Sequence, residues 1–277
     1  MNQTLDNSVK LSKSKKLENE SIVFKIINLI FGLRQLLGIA IFLALWEIVP
    51  RIGLVDSNFL PPFSVVLETF FQMLFSGELI ENISVSLKRS LMGFSLGIVL
   101  AIPLGLIIGS FKKIEFYVDP LLQLFRQTST LALLPVFLLF FGIGETSKVA
   151  IVFWGVWSAI LLNTINGVKN VDTNLIKAAR SMASPQLTIF MKVILPSAFP
   201  SIITGIRISA TSSILVLIAA EMMGASSGLG FLLYDTQMKY QIPKMYASII
   251  TMSLIGLIVN YIIVAFEKRI CVWKPEN

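Results

Sequence analysis

Long apolar runs separated by short polar ones dominate the chain. Stretches at about 36–52, 88–110, 119–141, 146–166, 203–223 and 246–266 are built mainly from Leu, Ile, Val, Phe, Ala and Gly. A bilayer core takes ~20 apolar residues per helix, so each stretch predicts one membrane-spanning helix. The third carries Arg126 and Pro135, which predict that it is bent or short. Residues 53–87 form a long connection that includes "FLPPFSVVLETFFQMLF". Pro61-Pro62 stops one segment. Val65, Val66, Phe70, Met73 and Leu74 then recur at helical spacing, which predicts an interfacial or docking helix outside the bilayer.

One polar insert breaks the rhythm. Residues 167–200 lie between the fourth and fifth apolar runs and include "KAARSMASPQLTIFMKVILP", a stretch with three basic residues and no acid. Asp172 is placed to cap a helix whose Leu175, Ala179 and Met182 share one face. Ser184-Pro185 predicts a second start, with Ser as cap and Pro at the first helical position. Leu187, Phe190, Met191 and Ile194 would form its apolar face, and Pro196 and Pro200 punctuate the run into span five. Two short helices meeting at small residues predict a rigid knob. An amphipathic linker lying on the membrane surface is the plainer reading of the same spacing.

Composition agrees with a membrane protein. Of 277 residues, 55% are hydrophobic and 14% charged, more apolar surface than a soluble domain could hide. There is no His, and the one Cys, Cys271, cannot form an internal disulfide or a Cys-based metal cage. The basic excess of +7 works mainly as an orientation signal. With the N-terminus inside, the inner segments hold 15 Lys and Arg against 6 in the outer segments (Arg51, Lys88, Arg89, Lys148, Lys239 and Lys244), leaving Arg126 and Arg207 within spans. Both termini and the insert are therefore expected on the cytoplasmic side. No aromatic-interleaved basic motif supports nucleic-acid binding. The polar start of the chain reads as a disordered basic cytoplasmic tail over 1–34, without a cleavable signal. The first span and interfacial segment then occupy 35–82, a transmembrane domain 83–267, and a cytoplasmic tail 268–277.

The chemistry-bearing motifs of an enzyme are missing. The sequence contains no GxxxxGK[ST] phosphate loop, no HExxH and no G-x-S-x-G. "GASSGLG" at 224–230 reads as a tight turn between spans five and six, with Gly228 and Gly230 allowing close backbone approach. Two hydroxyl-rich patches lie near span centres. One is Ser209, Ser212 and Ser213; the other is Thr128 and Thr130, beside Arg126. They are candidates for a solute path. Close packing of helices accounts for Ser and Thr at such positions equally well. Arg126 either snorkels to the surface or favours an anionic solute. Glu221, near the far end of span five, is expected to pair with Lys239 or Lys244, or to face a gate.

The insert resembles the cytoplasmic coupling loop of type I ABC importer permeases. That loop reads Glu-Ala-Ala, three residues, Gly, nine residues, Ile, one residue, Leu-Pro. Here Ala178-Ala179 and Leu195-Pro196 match, while Lys177, Ala183 and Val193 stand where Glu, Gly and Ile are expected. "LALLPVFLLFFGIGETSKV" (131–149), "LLNTINGVKNVD" (161–172) and "AAEMMGASSGLGFLL" (219–233) are similar to the sulfonate, nitrate and taurine branch of that family. The resemblance covers roughly 36–270 and implies an all-α membrane fold of about six helices with a cytoplasmic coupling helix. It implies the permease subunit of an ATP-driven importer in a bacterial inner or plasma membrane, with no ATPase of its own. The partners it implies are a second permease copy, two cytoplasmic ATPases that use ATP and Mg, and an extracytoplasmic binding protein. The solute would be a small anion such as an aliphatic sulfonate, taurine or nitrate. Leu175, Lys177, Ala178, Ala179, Arg180, Met182, Ala183 and Ser184 become the ATPase-coupling residues. A stand-alone channel or secondary transporter is the alternative; it needs charged coupling-ion ligands near the midplane, where only Arg126 is available.

Overall fold

The computed structural model describes residues 37–270, and all regular elements among them are helical. The tail expected at 1–34 and residues 271–277 of the tail expected at 268–277, Cys271 among them, lie outside the described residues, whereas residues 268–270 of that tail are still helical. Contacts divide the chain into one unit up to Leu67 and another from Glu68 onward.

In the first unit, residues 37–51 form helix α1, the described part of the first expected span. Glu47 accepts from the Ser64 backbone N–H and hydroxyl, both at 2.9 Å, and the Trp46 indole donates to Pro61 O at 3.1 Å. These bonds hold the turn after α1 against the start of α2 (Phe63–Phe75). On α2, Val66 and Met73 are buried and Phe70 and Leu74 half-buried, as the spacing predicts, but Val65 is exposed.

The second unit is built around three long helices: α3 (Glu78–Ser110), α6 (Glu145–Lys169) and α9 (Leu195–Met222). A stripe in α3 explains why they pack so closely. Gly93, Gly97, Ala101, Gly105 and Gly109 recur every four residues along one side. A Cβ added at the four glycines would lie 2.5–2.9 Å from side-chain atoms of Val152, Val156, Thr164 and Val168, which share the same spacing on α6. Small residues let the two backbones approach, which is how apolar helices gain packing in a membrane. Ala101, Val152, Val156, Ile160, Leu161 and Leu217 then form a core shared by α3, α6 and α9.

Span two differs from expectation at its start. The apolar count begins it at 88, yet α3 begins at Glu78 and runs 33 residues. Lys88 and Arg89 looked like loop charges, but the helix continues through them because Arg89 is neutralised inside the bundle (below). Span three is broken, as Arg126 and Pro135 predicted. Helices α4 (Lys112–Gln127) and α5 (Leu134–Phe141, preceded by a 3₁₀ turn, Leu131–Leu133) meet at 84°. The break falls at the extended Thr128, whereas Pro135 sits in the first turn of α5, where its missing N–H costs nothing.

After α6 come α7 (Thr173–Ser181) and α8 (Gln186–Ile189). Pro196 and Pro200 were expected to punctuate the entry into span five. Instead α8, a π-helical turn at Phe190–Ile194 and α9 make one continuous helix, Gln186–Met222, of 37 residues. The wider π turn accommodates Pro196 without a break. Helices α10 (Leu229–Met238) and α11 (Ile242–Ile270) complete the unit. Among the described residues four helices are long and apolar enough to cross a membrane, and the broken pair would make a fifth.

Candidate functional site: a coupling corner and a buried charge cluster

Asp172 does what its position predicts: Oδ1 accepts from the Asn174 N–H at 2.8 Å and caps α7. The other end of α7 closes on a left-handed residue. Ala183 has φ 53°, its N–H donates to Arg180 O at 2.9 Å, and the Ser184 N–H donates to Ala179 O at 3.3 Å. This pair of reverse bonds is a Schellman motif, and Gly is the usual residue at its left-handed position. Ala183 thus occupies the place where the coupling-loop pattern has Gly, and the backbone explains why Gly is favoured there.

Ser184 was expected to cap the next helix. It does not: α8 starts at Gln186, Pro185 is the cap residue with ψ 149°, and no side-chain bond caps it. Ser184 is committed to closing α7, and the residue before a proline is pushed out of the helical region. The corner therefore turns on Ala183, Ser184 and Pro185, all held in defined conformations.

The face of this corner is apolar and open. Leu175 is 51% exposed, Met182 80%, Leu187 72% and Met191 55%. Lys177, Ala178 and Arg180 are exposed and Ala179 is half-buried. Phe190 and Ile194, expected on the same face as Leu187 and Met191, are instead half-buried, and Ile189 is buried against the bundle.

At the opposite end of the same helices lies a group that the sequence did not reveal as a unit. Arg89 is 3% exposed. Its Nε and Nη2 donate to the two carboxylate oxygens of Glu145 at 2.6 and 2.5 Å, and Nη1 donates to Glu221 Oε1 at 2.8 Å and Ser227 O at 2.6 Å. Glu221 also accepts from the Ser86 hydroxyl and from the Gly230 N–H at 2.9 Å. Lys148, equally buried, donates to Gly144 O and Gly224 O. Two cations meet two carboxylates, so the cluster is formally neutral. Three helices and the turn before α10 converge on it.

The predicted partners of Glu221 are engaged elsewhere. Lys239 pairs with Asp235 at 2.6 Å and Lys244 with Glu78 at 3.0 Å. Gly228 and Gly230 do allow close approach. Gly228 adopts φ 112°, and a Cβ there would collide with the Glu221 carboxylate; at Gly230 it would collide with Ile218 O.

The candidate path residues fall into two groups. Ser209 and Ser213 are buried: Ser209 donates to Val156 O at 3.2 Å, and Ser213 bonds Ala210 O at 2.7 Å and the Ser90 hydroxyl at 3.0 Å. Ser212 is half-buried on another side and donates to Ile208 O at 3.1 Å. Arg126 and Thr128 are exposed beside the break in span three, with Thr128 donating to Leu124 O at 3.0 Å. Thr130 packs near Gly155 of α6. Phe125, next to Arg126, meets Trp154 and Trp157 edge-on or tilted, with ring centroids 5.2 and 6.1 Å away.

Comparison with known proteins adds an independent line. Residues 101–272 match the family model described as binding-protein-dependent transport system inner membrane component. A putative aliphatic sulfonates transport permease of Bacillus subtilis (strain 168) is 35% identical, covering 87% of this chain and 88% of its own. The taurine transport system permease of Escherichia coli (strain K12) is 30% identical over 86% and 88%. A nitrate import permease of Leptolyngbya laminosa is 30% identical over 68% of each. Among solved structures, an inward-facing form of the MetNI methionine ABC transporter superposes with a TM-score of 0.60 at 20% identity. The match covers 67% of this chain and 92% of that one, a likeness of fold.

Proposed function

The chain belongs to the family of binding-protein-dependent transport system inner membrane components, and from that premise we propose how its two ends divide the work of an ATP-driven import cycle. It is the multi-pass membrane permease of an ABC importer. The α7–α8 corner is the seat of a cytoplasmic ATPase, which binds ATP and Mg. The corner and both termini lie on the cytoplasmic side of a bacterial cell membrane, in keeping with the charge bias. Two copies of the chain enclose the path, each carrying one ATPase, and an extracytoplasmic binding protein delivers the solute. The relatives' names point to a small anion: an aliphatic sulfonate, taurine or nitrate.

One observation carries this reading. The corner exposes Leu175, Met182, Leu187 and Met191, yet it turns on fixed backbone and runs without a break into Gln186–Met222. At ~1.5 Å per residue that helix is a rod of roughly 55 Å. A displacement imposed at the corner is therefore delivered to Glu221, at the far end, with little loss in between. There it acts on a cluster that joins α3, α6 and α9, and the two ends of the path change together.

Arg126, Thr128, Thr130 and Ser212 are the groups we assign to the path itself. Arg126 has no carboxylate partner among the described residues and stands at the kink of the broken span, a place suited to drawing in an anion. Ser209 and Ser213 hold the bundle together beside it. The test is reconstitution. The purified permease alone should show no ATP turnover, and turnover and uptake should appear when the cognate ATPase is added. Arg126→Gln should slow anion uptake while the complex still assembles. Hydrolysis by the homogeneous permease, or failure of the ATPase to bind it, would overturn the assignment.

A further inference from the structure

The coupling corner does not close tightly on the bundle. Between the last turns of α3 and α6, the start of α4 and the corner helices lies a recess of about 710 Å³. That is well within the size of sites that hold a small ligand, roughly 300–1,000 Å³. Its walls are largely apolar, with Ile107, Phe111, Val168, Ile176, Ile189 and Phe190 among them. Its rim carries Lys112, Lys169 and Arg180, and Glu115 is its only carboxylate. Glu115 is taken by Lys169, at 2.5 Å. Lys112 and Arg180 have no carboxylate partner among the described residues. The recess is therefore an apolar slot with two uncompensated positive charges at its mouth. The N-terminus of α4, capped by no side chain, adds its free N–H groups beside Lys112.

We propose that this recess binds one anionic phospholipid. The phosphate lies between Lys112 and Arg180, and an acyl chain lies along Ile107, Phe111, Ile189 and Phe190. A soluble anion would satisfy the two cations and leave the apolar walls bare. A zwitterionic lipid would bring an ammonium group next to two positive charges. An anionic lipid meets both demands, and the recess sits at the ends of membrane-crossing helices, where headgroups are found. The proposal rests on the coupling reading for the leaflet that supplies the lipid, the cytoplasmic one. Arg180 also belongs to α7, so a lipid held there steadies the corner on the bundle from which it moves.

The experiment places a reporter in the recess. The full chain carrying Phe190→Trp is reconstituted in phosphatidylcholine vesicles containing rising fractions of either brominated phosphatidylglycerol or brominated phosphatidylcholine, with the parent chain as baseline. A Lys or Arg near an anionic surface contributes about fivefold in affinity. Half-quenching should need at least about fivefold less phosphatidylglycerol than brominated phosphatidylcholine, and Lys112→Glu should abolish that difference. Superimposable curves for the two lipids overturn the site. So does displacement by millimolar inorganic phosphate, which would make it a soluble-anion site. Quenching that appears only after residues 1–34 are deleted would make the chain's own N-terminal segment the occupant, and would equally overturn it. Should Phe190→Trp misfold, mass spectrometry of lipid retained through detergent purification gives the same decision: wild type keeps phosphatidylglycerol and Lys112→Glu loses it, or the proposal fails. ATPase recovery is scored separately. Absence of a lipid preference in the chain with Lys112 intact, together with normal ATPase binding, sinks the lipid site alone, and a lipid preference without ATPase binding sinks the coupling reading alone.

Discussion

The two ends of the Gln186–Met222 helix solve opposite problems with similar materials. At the far end, Glu221 is buried, and each of its close polar partners belongs to this chain: Arg89, Ser86 and the Gly230 N–H. At the corner, Leu175, Met182 and Leu187 are more than half exposed, and Lys177 and Arg180 have no carboxylate partner among the described residues. One end satisfies itself and the other leaves its surface for something else. Burying unpaired charge is costly, so a self-contained cluster resists change until all its members move together. An exposed apolar face gains free energy only when a partner covers it. On the proposed coupling, energy would enter at the exposed corner and be resisted at the buried cluster.

That contrast breaks most easily at the buried end. Glu221→Ala removes one carboxylate from a neutral group and leaves a buried positive charge in excess. The expected loss of stability is about 3–5 kcal/mol, read from denaturant or thermal unfolding of the detergent-purified chain. Leu175→Ser at the corner should shift the same transition by no more than about 0.5 kcal/mol. If the two substitutions cost the same, the ends do not differ in the way described. Replacing both Arg89 and Glu221 by Met should be less damaging than the sum of the single changes, because neither charge is then left alone.

The corner is tested by binding instead of folding. Ala179 is half-buried between exposed Leu175 and Met182. If an ATPase covers this face, Ala179→Glu places an unpaired carboxylate in the contact. The expected loss is about 3 kcal/mol, a hundredfold or more in affinity. The variant should insert and melt normally, but its ATPase should be missing from a pull-down at matched expression. Recovery equal to wild type would make the corner a surface linker.

Between the ends, the α3–α6 stripe sets a third and smaller effect. Gly97→Ala puts a methyl 2.5 Å from Val156 Cγ2, and overpacking of that kind costs about 1–3 kcal/mol. Gly38→Ala, in helix α1 with open space around it, should instead stabilise by about 0.4–1 kcal/mol in the same unfolding measurement. Equal behaviour of the two would mean that α3 and α6 are not in close register.

Local features were legible in the sequence, and distant pairings were not. The Asp172 cap, the α7 span and the bend in span three depend on neighbouring residues, and each could be read from spacing. Arg89 and Glu221 are 132 positions apart, and nothing local says which of several Lys or Arg side chains a lone Glu will choose. Position made Lys88 and Arg89 look like loop charges, because an apolar count stops at any charge, including one that is paired within the bundle. The four-residue stripe from Gly93 to Gly109 was readable, since its spacing is a helical one, and it was the missed signal for the α3–α6 contact. The continuity through Pro196 was not readable. A proline predicts a break, and whether a π turn absorbs it depends on packing against the rest of the bundle.

The smallest effect gives the sharpest test, because its sign is at stake. Ala183 closes α7 with φ 53°, and Tyr240 closes α10, at the other end of the bundle, with φ 54°. Both stand where a Schellman motif prefers Gly, and an L-residue pays about 1–2 kcal/mol for that backbone. Glycine removes this strain but gives the unfolded chain more freedom, which offsets about 0.4–1 kcal/mol. Ala183→Gly should therefore stabilise the chain by about 0.5–1 kcal/mol. The same change five residues earlier, Ala178→Gly, falls inside α7 and should destabilise it by about 1 kcal/mol. Hydrogen exchange at the amides of Ala183 and Ser184, whose bonds close the motif, reads the effect locally even where global unfolding is insensitive. Slower exchange in Ala183→Gly and faster exchange in Ala178→Gly would place the strain at the corner's turning point. Slower or unchanged exchange in Ala178→Gly, or faster exchange in Ala183→Gly, would show that the turn is not built on a left-handed residue, and the stiffness argued for the corner would lose its basis.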